Sequence, residues 1–330
     1  MIISQTPFRI SFFGGGTDYP AWYRQHGGAV LSTTIDKYCH ISCRNLPHFF
    51  AYRHRIVYSL IELVNEIEEI RHPSIRECMR QVPTPNGLEI HHDGDLPARS
   101  GLGSSSAFTV GMLNTLRAMN GLMSSKSELA KGAIHVEHEM IREAVGAQDQ
   151  IAAAYGGLNR IAFAQDGSFR VEPLLIPAER RDLLQSHLML FFTGFQRYAT
   201  EIAAQKIQNL PHKTTELARM QEMVDEAIAM LSSPATSLDE FGRLLHESWM
   251  LKRSLAGSVT TDQIDQIYEA GRAAGAIGGK LLGAGGGGFM LFFVRPEHRG
   301  NLQQALSNLV HVNFKFETQG SRIALYDPNF

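Results

Sequence analysis

The chain of 330 residues is poor in cysteine. Its three cysteines, Cys39, Cys43 and Cys78, are too few for a disulfide framework. Cys39 and Cys43 stand in a stretch rich in β-branched residues and lack the CxxC spacing of a zinc site. The sequence therefore predicts reduced thiols and a cytoplasmic protein.

Long hydrophobic runs and an excess of one charge are also missing. No eighteen consecutive residues are apolar, and no basic segment followed by an apolar stretch opens the chain, so we expect neither a transmembrane helix nor a secretory signal. Thirty-one Lys and Arg nearly balance 33 Asp and Glu, for a formal net charge of −2. Because nucleic acids and anionic membranes attract basic surfaces, we expect neither as a partner.

The length predicts two domains rather than one. Residues 1–184 mix predicted strands and helices, including a helix over 58–82 that is interrupted at Pro73. From about residue 185 the pattern changes to a buried strand followed by long amphipathic helices. We expect an α+β fold with domains at 1–184 and 185–330.

The most informative stretch is the Gly/Ser-rich run from 97 to 107, which leads into helical periodicity. Gly101 and Gly103 let the backbone turn tightly and approach a ligand. A helix N-terminus presents N–H donors and partial positive charge, which together favour phosphate. The run is neither a Walker A loop, since no lysine follows the last glycine, nor a Rossmann loop. On its own it is also compatible with a simple tight turn.

Other segments strengthen the phosphate interpretation. Gly14, Gly15 and Gly16 lie in the segment 6–19 and five further glycines lie in 280–289, with Val136-Glu-His-Glu139 and Gly146-Ala-Gln-Asp-Gln150 between these segments. In this order the motifs resemble those of the GHMP kinases, which include galactokinase, homoserine kinase and mevalonate kinase. The resemblance implies ATP and Mg²⁺, an N-terminal ribosomal-protein-S5-like domain and a C-terminal ferredoxin-like α/β sandwich domain.

The resemblance assigns the nucleotide to the Gly/Ser loop and the magnesium ion to Ser105 and Glu137. The cofactor-binding residues that it implies are Pro97, Ser100, Gly101, Leu102, Gly103, Ser104, Ser105 and Ser106. Glu139 is the rival carboxylate for the metal. Because residues two apart on a helix face different sides, we expect only one of Glu137 and Glu139 to point toward the ion.

Asp149 matches the catalytic aspartate of the galactokinase Met-Asp-Gln triplet, with Gln148 where that family has Met. The implied mechanism is phosphoryl transfer in which Asp149 accepts the proton of the attacking hydroxyl and nearby Arg9 keeps Asp149 ionised. The structural alternative for Asp149 is a helix cap.

Galactokinases have Gly-Glu-His-Thr-Asp-Tyr where this chain has Gly14-Gly-Gly-Thr-Asp-Tyr19. The change removes a negative charge and opens room, which argues against galactose and suits a longer acceptor with an anionic far end. A bound phosphate needs cations or N–H donors. The implied substrate-binding residues are Gly15, Gly16, Thr17, Asp18, Gly285, Gly286, Arg197 and Lys280.

Three segments, 6–20, 31–38 and 246–253, are similar to those of bacterial heptose 7-phosphate kinases. The resemblance implies phosphorylation of the anomeric hydroxyl of D-glycero-D-manno-heptose 7-phosphate. The alternatives are a kinase for an unphosphorylated sugar such as fucose or galactose, and a non-catalytic regulator that binds sugar and ATP. The sequence leaves open whether the protein forms a homodimer.

Overall fold

A long first strand, β1 (Ile2–Phe13), organises the larger of two sheets in the computed structural model, which describes residues 1–84, 87–98, 100–194 and 207–328. On one side β1 pairs antiparallel with β2 (Gly28–Asn45), and on the other with the last strand, β13 (Arg322–Tyr326). The other strands of this sheet are β3 (His54–Val57), β4 (Ile61–Val64), β5 (Leu88–Gly94), β6 (Asn159–Phe163), β7 (Phe169–Pro173) and β12 (Phe316–Glu317).

The path through this sheet is β13-β1-β2-β5-β3-β4, with β6 and β12 also pairing with β2 and β7 pairing with β6. The β3–β5 pair is parallel, and the other pairs are antiparallel. The helices of this part are α1 (Pro20–His26), α2 (Pro73–Gln81), α3 (Ser104–Met119), α4 (Lys126–His135) and α5 (Gln148–Tyr155). α4 continues as a π-helical segment, Val136–Ile141.

The second sheet has the order β11-β8-β10-β9 and is antiparallel throughout. Its strands are β8 (Leu188–Phe192), β9 (Ala276–Leu281), β10 (Phe289–Val294) and β11 (Val310–Val312). The helices of this half are α6 (Ala178–Ser186), α7 (Thr214–Ser232), α8 (Leu238–Ser254), α9 (Asp262–Ala273) and α10 (Arg299–Ala305). The expected α+β class is confirmed.

The two halves share a hydrophobic core. One cluster of buried side chains includes residues of β1, α3, α8 and β10. Within it the rings of Phe12 and Phe241 meet edge to face with their centroids 5.5 Å apart. Burying these faces together removes apolar surface from water and holds the two sheets against each other.

The predicted helix over 58–82 is wrong in its first part. That stretch contains the hairpin strand β4 and a short 3₁₀ turn before α2 begins at Pro73. Pro73 does not interrupt a helix but opens one, because proline is well accommodated in the first turn, where its missing N–H has no intrahelical partner.

The end of the chain returns to the first sheet. Ile2 pairs with Tyr326 and Gln5 with Arg322, and β12 pairs with β2 beside Ile35. The division into 1–184 and 185–330 therefore stays a prediction, but strands 316–317 and 322–326 of the second segment belong to the first sheet. The physical reason is that β1 has a second hydrogen-bonding edge, and β13 covers it.

Candidate functional site

Arg9 and Asp149 form an ion pair at the centre of the candidate site. Arg9 projects from β1, and Asp149 lies in the first turn of α5. Arg9 Nε donates to Asp149 Oδ1 at 2.7 Å and Nη2 donates to Oδ2 at 2.8 Å. The arginine side chain is 5% exposed and the aspartate side chain 25%, so the carboxylate is fixed in place yet reachable from outside. A two-point arginine–carboxylate pair is among the best-oriented interactions in proteins.

The Gly/Ser loop lies directly over this pair. Gly101 and Gly103 both adopt positive φ, of 86° and 73°, and Gly103 is the N-cap of α3. A Cβ added to Gly103 would lie 3.2 Å from Arg9 Cγ and 3.4 Å from Asp149 Cγ. Two hydrogen bonds join the loop to Arg9: Nη1 to Gly101 O at 2.7 Å and the Arg9 N–H to Leu102 O at 3.0 Å. The N-terminus of a 16-residue helix is thereby aimed at the space beside Asp149.

No side chain caps this helix, because its N-cap residue is glycine. In a loop of this kind a phosphate oxygen takes the place of the capping side chain. Leu102 and Ser100 are fully buried and anchor the loop, whereas Pro97 at its beginning is exposed. The geometry fits the predicted phosphate-binding role of the loop.

The glycine-rich run after β9 supports the loop from behind. A Cβ on Gly283 would lie 2.4 Å from Gly101 Cα, and a Cβ on Gly288 would lie 2.2 Å from Ser100 O. The Phe289 N–H donates to Ser100 O at 3.1 Å. Two backbone segments can come this close only where side chains are missing.

Buried lysines hold this run in place. Lys252, on α8, donates to Leu281 O at 2.7 Å and to Gly283 O at 2.6 Å, and it is 5% exposed. Lys280 is 3% exposed and donates to Phe12 O at 2.7 Å. Its ammonium group thereby joins β9 to the end of β1, and the predicted contact of Lys280 with a substrate phosphate stays a prediction.

Gly285 and Gly286 are also buried, and both pack against Val259. The Gly286 N–H donates to Val259 O at 3.0 Å. Their predicted contact with substrate stays a prediction, since the contacts that the structure shows for them are within the protein. Arg197, the other predicted phosphate-binding cation, lies outside the described residues.

Glu137 is a buried carboxylate next to the Gly/Ser loop. It is 0% exposed, and its Oε2 accepts hydrogen bonds from Ser106 Oγ at 2.9 Å and Gln150 Nε2 at 2.5 Å. Its Oε1 has no hydrogen-bond partner among the described residues. The pKa of Glu137 is raised from 4.5 to about 7, chiefly by burial and also by the nearby Glu143 carboxylate, while the nearby Thr109 hydroxyl and the hydrogen bonds from Ser106 and Gln150 lower it.

The unpartnered oxygen of Glu137 is what a metal-binding carboxylate requires, so the residues fit Mg²⁺. No group of three or more His, Cys, Asp or Glu side chains with the arrangement of a metal site occurs in the part of the chain that the structure describes. Mg²⁺ would then share Glu137 with phosphate oxygens, as this ion commonly does. Glu139, the rival carboxylate, is exposed.

Glu137 is hydrogen-bonded to Ser106, and the predicted role of Ser105 as a second magnesium ligand stays a prediction. Ser106 is buried and contacts Glu137, whereas Ser105 is exposed. Consecutive residues of an α-helix differ by about 100° in direction, so only one of two adjacent serines can face the same carboxylate. Gln150, the other partner of Glu137, was not predicted, and only its place beside Asp149 in the sequence hinted at it.

The Gly14–Asp18 segment lies next to the start of α5. Asp18 is 2% exposed; its Oδ1 accepts from Gly16 N at 2.9 Å and its Oδ2 from Gln148 Nε2 at 3.0 Å. The Ala147 N–H donates to Asp18 O at 3.0 Å. These bonds place the predicted sugar-binding segment against the predicted catalytic helix.

The Thr17 side chain, which the sequence predicts to bind substrate, is hydrogen-bonded within the protein instead. Its hydroxyl shares its one hydrogen between Gly14 O at 2.8 Å and Ala29 O at 2.9 Å, and it accepts from Ala29 N at 3.1 Å, with no exposure. The threonine therefore closes the turn between β1 and β2, because its oxygen is fully used by backbone groups.

Comparison with known proteins agrees with this geometry. Residues 59–157 match the family profile described as GHMP kinases N terminal domain, and residues 229–311 match GHMP kinases C terminal. The chain belongs to the GHMP kinases. The predicted fold and kinase class are confirmed, and kinases of this family use ATP as the phosphoryl donor.

This GHMP kinase is 31% identical to D-glycero-alpha-D-manno-heptose 7-phosphate kinase of Campylobacter jejuni, over 92% of this chain and 93% of that protein. It superposes on a crystal structure of a putative sugar kinase from Campylobacter jejuni with a TM-score of 0.70 and 27% identity, covering 98% and 97% of the two chains. A D-glycero-D-manno-heptose 1-phosphate kinase from Bacteroides thetaiotaomicron shares the fold at a TM-score of 0.81 and 24% identity, covering 99% and 100%. None of the described helices has the length and hydropathy that crossing a bilayer requires.

Proposed function

We propose that this GHMP kinase transfers the γ-phosphoryl group of ATP to the anomeric hydroxyl of D-glycero-D-manno-heptose 7-phosphate, with Mg²⁺, in the cytoplasm. The observation that carries the proposal is the Arg9–Asp149 pair, which lies between the N-terminus of α3 and the Gly14–Asp18 segment. The heptose phosphate acceptor is supported by the 31% identity to the Campylobacter jejuni enzyme of that name.

The site can move the proton that the reaction releases. Each carboxylate oxygen of Asp149 accepts one N–H from Arg9, and lone pairs remain for the attacking hydroxyl. As the acceptor oxygen bonds to the γ-phosphorus and the bond to the β-phosphate oxygen breaks, the hydroxyl proton passes to Asp149 and ADP leaves. Proton transfer of this kind contributes about 10²–10⁴-fold.

The remaining groups neutralise charge. The N-terminus of α3 faces the phosphates, and Arg9 adds a fixed positive charge beside Asp149. Glu137 and Ser106 would hold Mg²⁺, which supplies charge neutralisation on the phosphate oxygens when it is bound. Positioning and charge account for most of catalysis in phosphoryl transfer.

The test is ADP release in the presence of Mg²⁺ and ATP with a panel of acceptors. The panel contains D-glycero-D-manno-heptose 7-phosphate, the corresponding 1-phosphate, L-fucose, D-galactose and mevalonate. We expect the highest kcat/KM with the 7-phosphate. A preference for the 1-phosphate would mean that the reacting hydroxyl is on a carbon other than the anomeric one. A preference for an unphosphorylated sugar or mevalonate would overturn the proposed acceptor.

Product analysis by ³¹P NMR completes the test, because it distinguishes a 1,7-bisphosphate from other bisphosphates. ATP binding without turnover on any acceptor would favour the non-catalytic alternative. A homodimer remains a prediction that sedimentation would check.

A further inference from the structure

Gly15 is a glycine that neither conformation nor packing explains. Its neighbours Gly14 and Gly16 have φ of 80° and 111°, in the region that favours glycine. Gly15 is outside that region, and the nearest atoms to a Cβ added there are Gln148 Nε2 and Ser11 Oγ, both at 3.8 Å. The chain itself would therefore accept a side chain at position 15.

The two groups that border this space have unused hydrogen-bonding capacity. Ser11 Oγ and Gln148 Oε1 are buried and have no hydrogen-bond partner among the described residues. The Gln148 amide is oriented by its other end, because Nε2 donates to Asp18 Oδ2. Buried polar atoms are almost always hydrogen-bonded in native proteins, so two such atoms, on the two side chains that border position 15, indicate a partner from outside the chain.

This space adjoins the reacting centre. Ser11 follows Arg9 by two residues on β1, so both side chains project from the same face, about 6.6 Å apart along the strand. Gln148 precedes Asp149 at the start of α5. Ser11 and Gln148 thus form a second pair across the same two elements that carry Arg9 and Asp149.

We propose that Ser11 and Gln148 form a subsite over Gly15 that binds a non-reacting hydroxyl of the acceptor sugar. The inference rests on the proposed sugar kinase activity and adds residues that set its specificity. A hydroxyl accepts from Ser11 Oγ and donates to Gln148 Oε1, which a phosphate dianion cannot do. The Asp18 carboxylate, hydrogen-bonded to Gln148, also repels an anion. The phosphate of a sugar phosphate must then bind elsewhere, contrary to the expectation that Gly15 and Gly16 make room for it.

Ser11→Ala is the sharpest variant, because it deletes an oxygen that bonds to nothing else in the described protein. We expect a Tm equal to or above that of the wild type, an unchanged KM for ATP, and a fall of about five- to tenfold in kcat/KM for the acceptor. Ser124→Ala is the matched control: it also removes a buried, unpartnered hydroxyl, but beyond the far end of α3, about 24 Å along the helix from the phosphate loop. It should leave kcat/KM unchanged.

Monodeoxy analogues of the preferred acceptor distinguish binding from a merely structural effect. With the wild-type enzyme, the analogue that lacks the hydroxyl bound by the subsite should have a kcat/KM at least about tenfold lower than that of its parent. Ser11→Ala and Gln148→Met should each reduce that ratio toward one, and leave the ratios for the other analogues unchanged. Gly15→Ala should raise the acceptor KM without lowering Tm.

Two results would overturn the subsite. The first is that the ratio of kcat/KM for the parent acceptor to kcat/KM for a deoxy analogue is the same in the wild type and in Ser11→Ala for every analogue. The second is an unchanged acceptor KM in Gly15→Ala. If another sugar of the panel proves to be the acceptor, the heptose phosphate proposal fails while the subsite is tested with that sugar. Turnover of no sugar at all would overturn both.

Discussion

Arg9 connects Asp149 to the Gly/Ser loop: the guanidinium that holds both carboxylate oxygens of Asp149 also donates to Gly101 O at 2.7 Å. Asp149, the proposed general base, and the Gly/Ser loop are thus positioned by one buried side chain. A base set by a rigid group keeps its alignment with the transferred phosphoryl group, and small misplacements are costly in such reactions.

Asp149→Asn should keep the fold and nucleotide affinity but lower kcat by about 10²–10⁴-fold, because asparagine cannot accept the hydroxyl proton. The measurement is ADP release together with calorimetric titration of a non-hydrolysable ATP analogue. Asp265→Asn is the control: it also breaks an arginine pair, with Arg253, but on α9, and should retain full turnover. Near-normal turnover in Asp149→Asn would remove Asp149 from the role of base.

Ser106→Ala should weaken binding of the Mg²⁺–nucleotide complex more than Ser105→Ala does. Ser106 donates to the buried Glu137 carboxylate, while Ser105 is exposed. The loss of one hydrogen bond to a charged group predicts about a tenfold weaker Kd for Ser106→Ala. Titration of both variants with the same nucleotide analogue checks this. A larger loss in Ser105→Ala would instead favour the magnesium-binding role that the sequence predicts for Ser105.

Glu137 should make stability depend on pH. Its pKa is raised from 4.5 to about 7 in the folded protein, so the folded state keeps a proton that the unfolded chain releases. The stabilising contribution is complete below about pH 4.5 and is lost as the pH rises through 7.

Glu137→Gln tests this dependence by removing the titrating group. In metal-free, nucleotide-free buffer, the difference in unfolding free energy between Glu137→Gln and wild type should shift by roughly 3 kcal/mol in favour of the variant between pH 4.5 and 8. Denaturant unfolding across that range measures it. The exposed neighbour serves as control, since Glu139→Gln should follow the wild type. Parallel curves for Glu137→Gln and wild type would contradict the prediction.

Gly101→Ala should separate the Gly/Ser loop from the glycine-rich run behind it. Gly101 has a φ of 86°, and a Cβ there would lie 2.4 Å from Leu282 O, so both backbone strain and a clash follow. We expect a loss of stability of about 1–3 kcal/mol and at least tenfold weaker nucleotide binding. Gly257→Ala is the control, because no atom lies within 4 Å of its added Cβ and its φ is not positive. Equal effects of the two substitutions would show that the contact with Leu282 does not matter.

Local sequence patterns predict the structure correctly where local forces decide it. The helix after the Gly/Ser run begins at Ser104, and Gly101 and Gly103 take up positive φ as expected. The hairpin at 54–64 was missed, because its apolar residues also suit a helical period and its pairing with β5 is non-local.

The sequence by itself determined the family, the kinase class, the tight turn before the helix and the meeting of Arg9 with Asp149, because each rests on short motifs whose residue types and order carry the chemistry. The tertiary structure alone decided that Ser106 rather than Ser105 faces Glu137, and that Lys280 and Thr17 are used within the protein. It also decided that the last strand pairs with the first. Such outcomes depend on how distant elements are rotated and placed relative to one another, and packing of the shared core sets that placement.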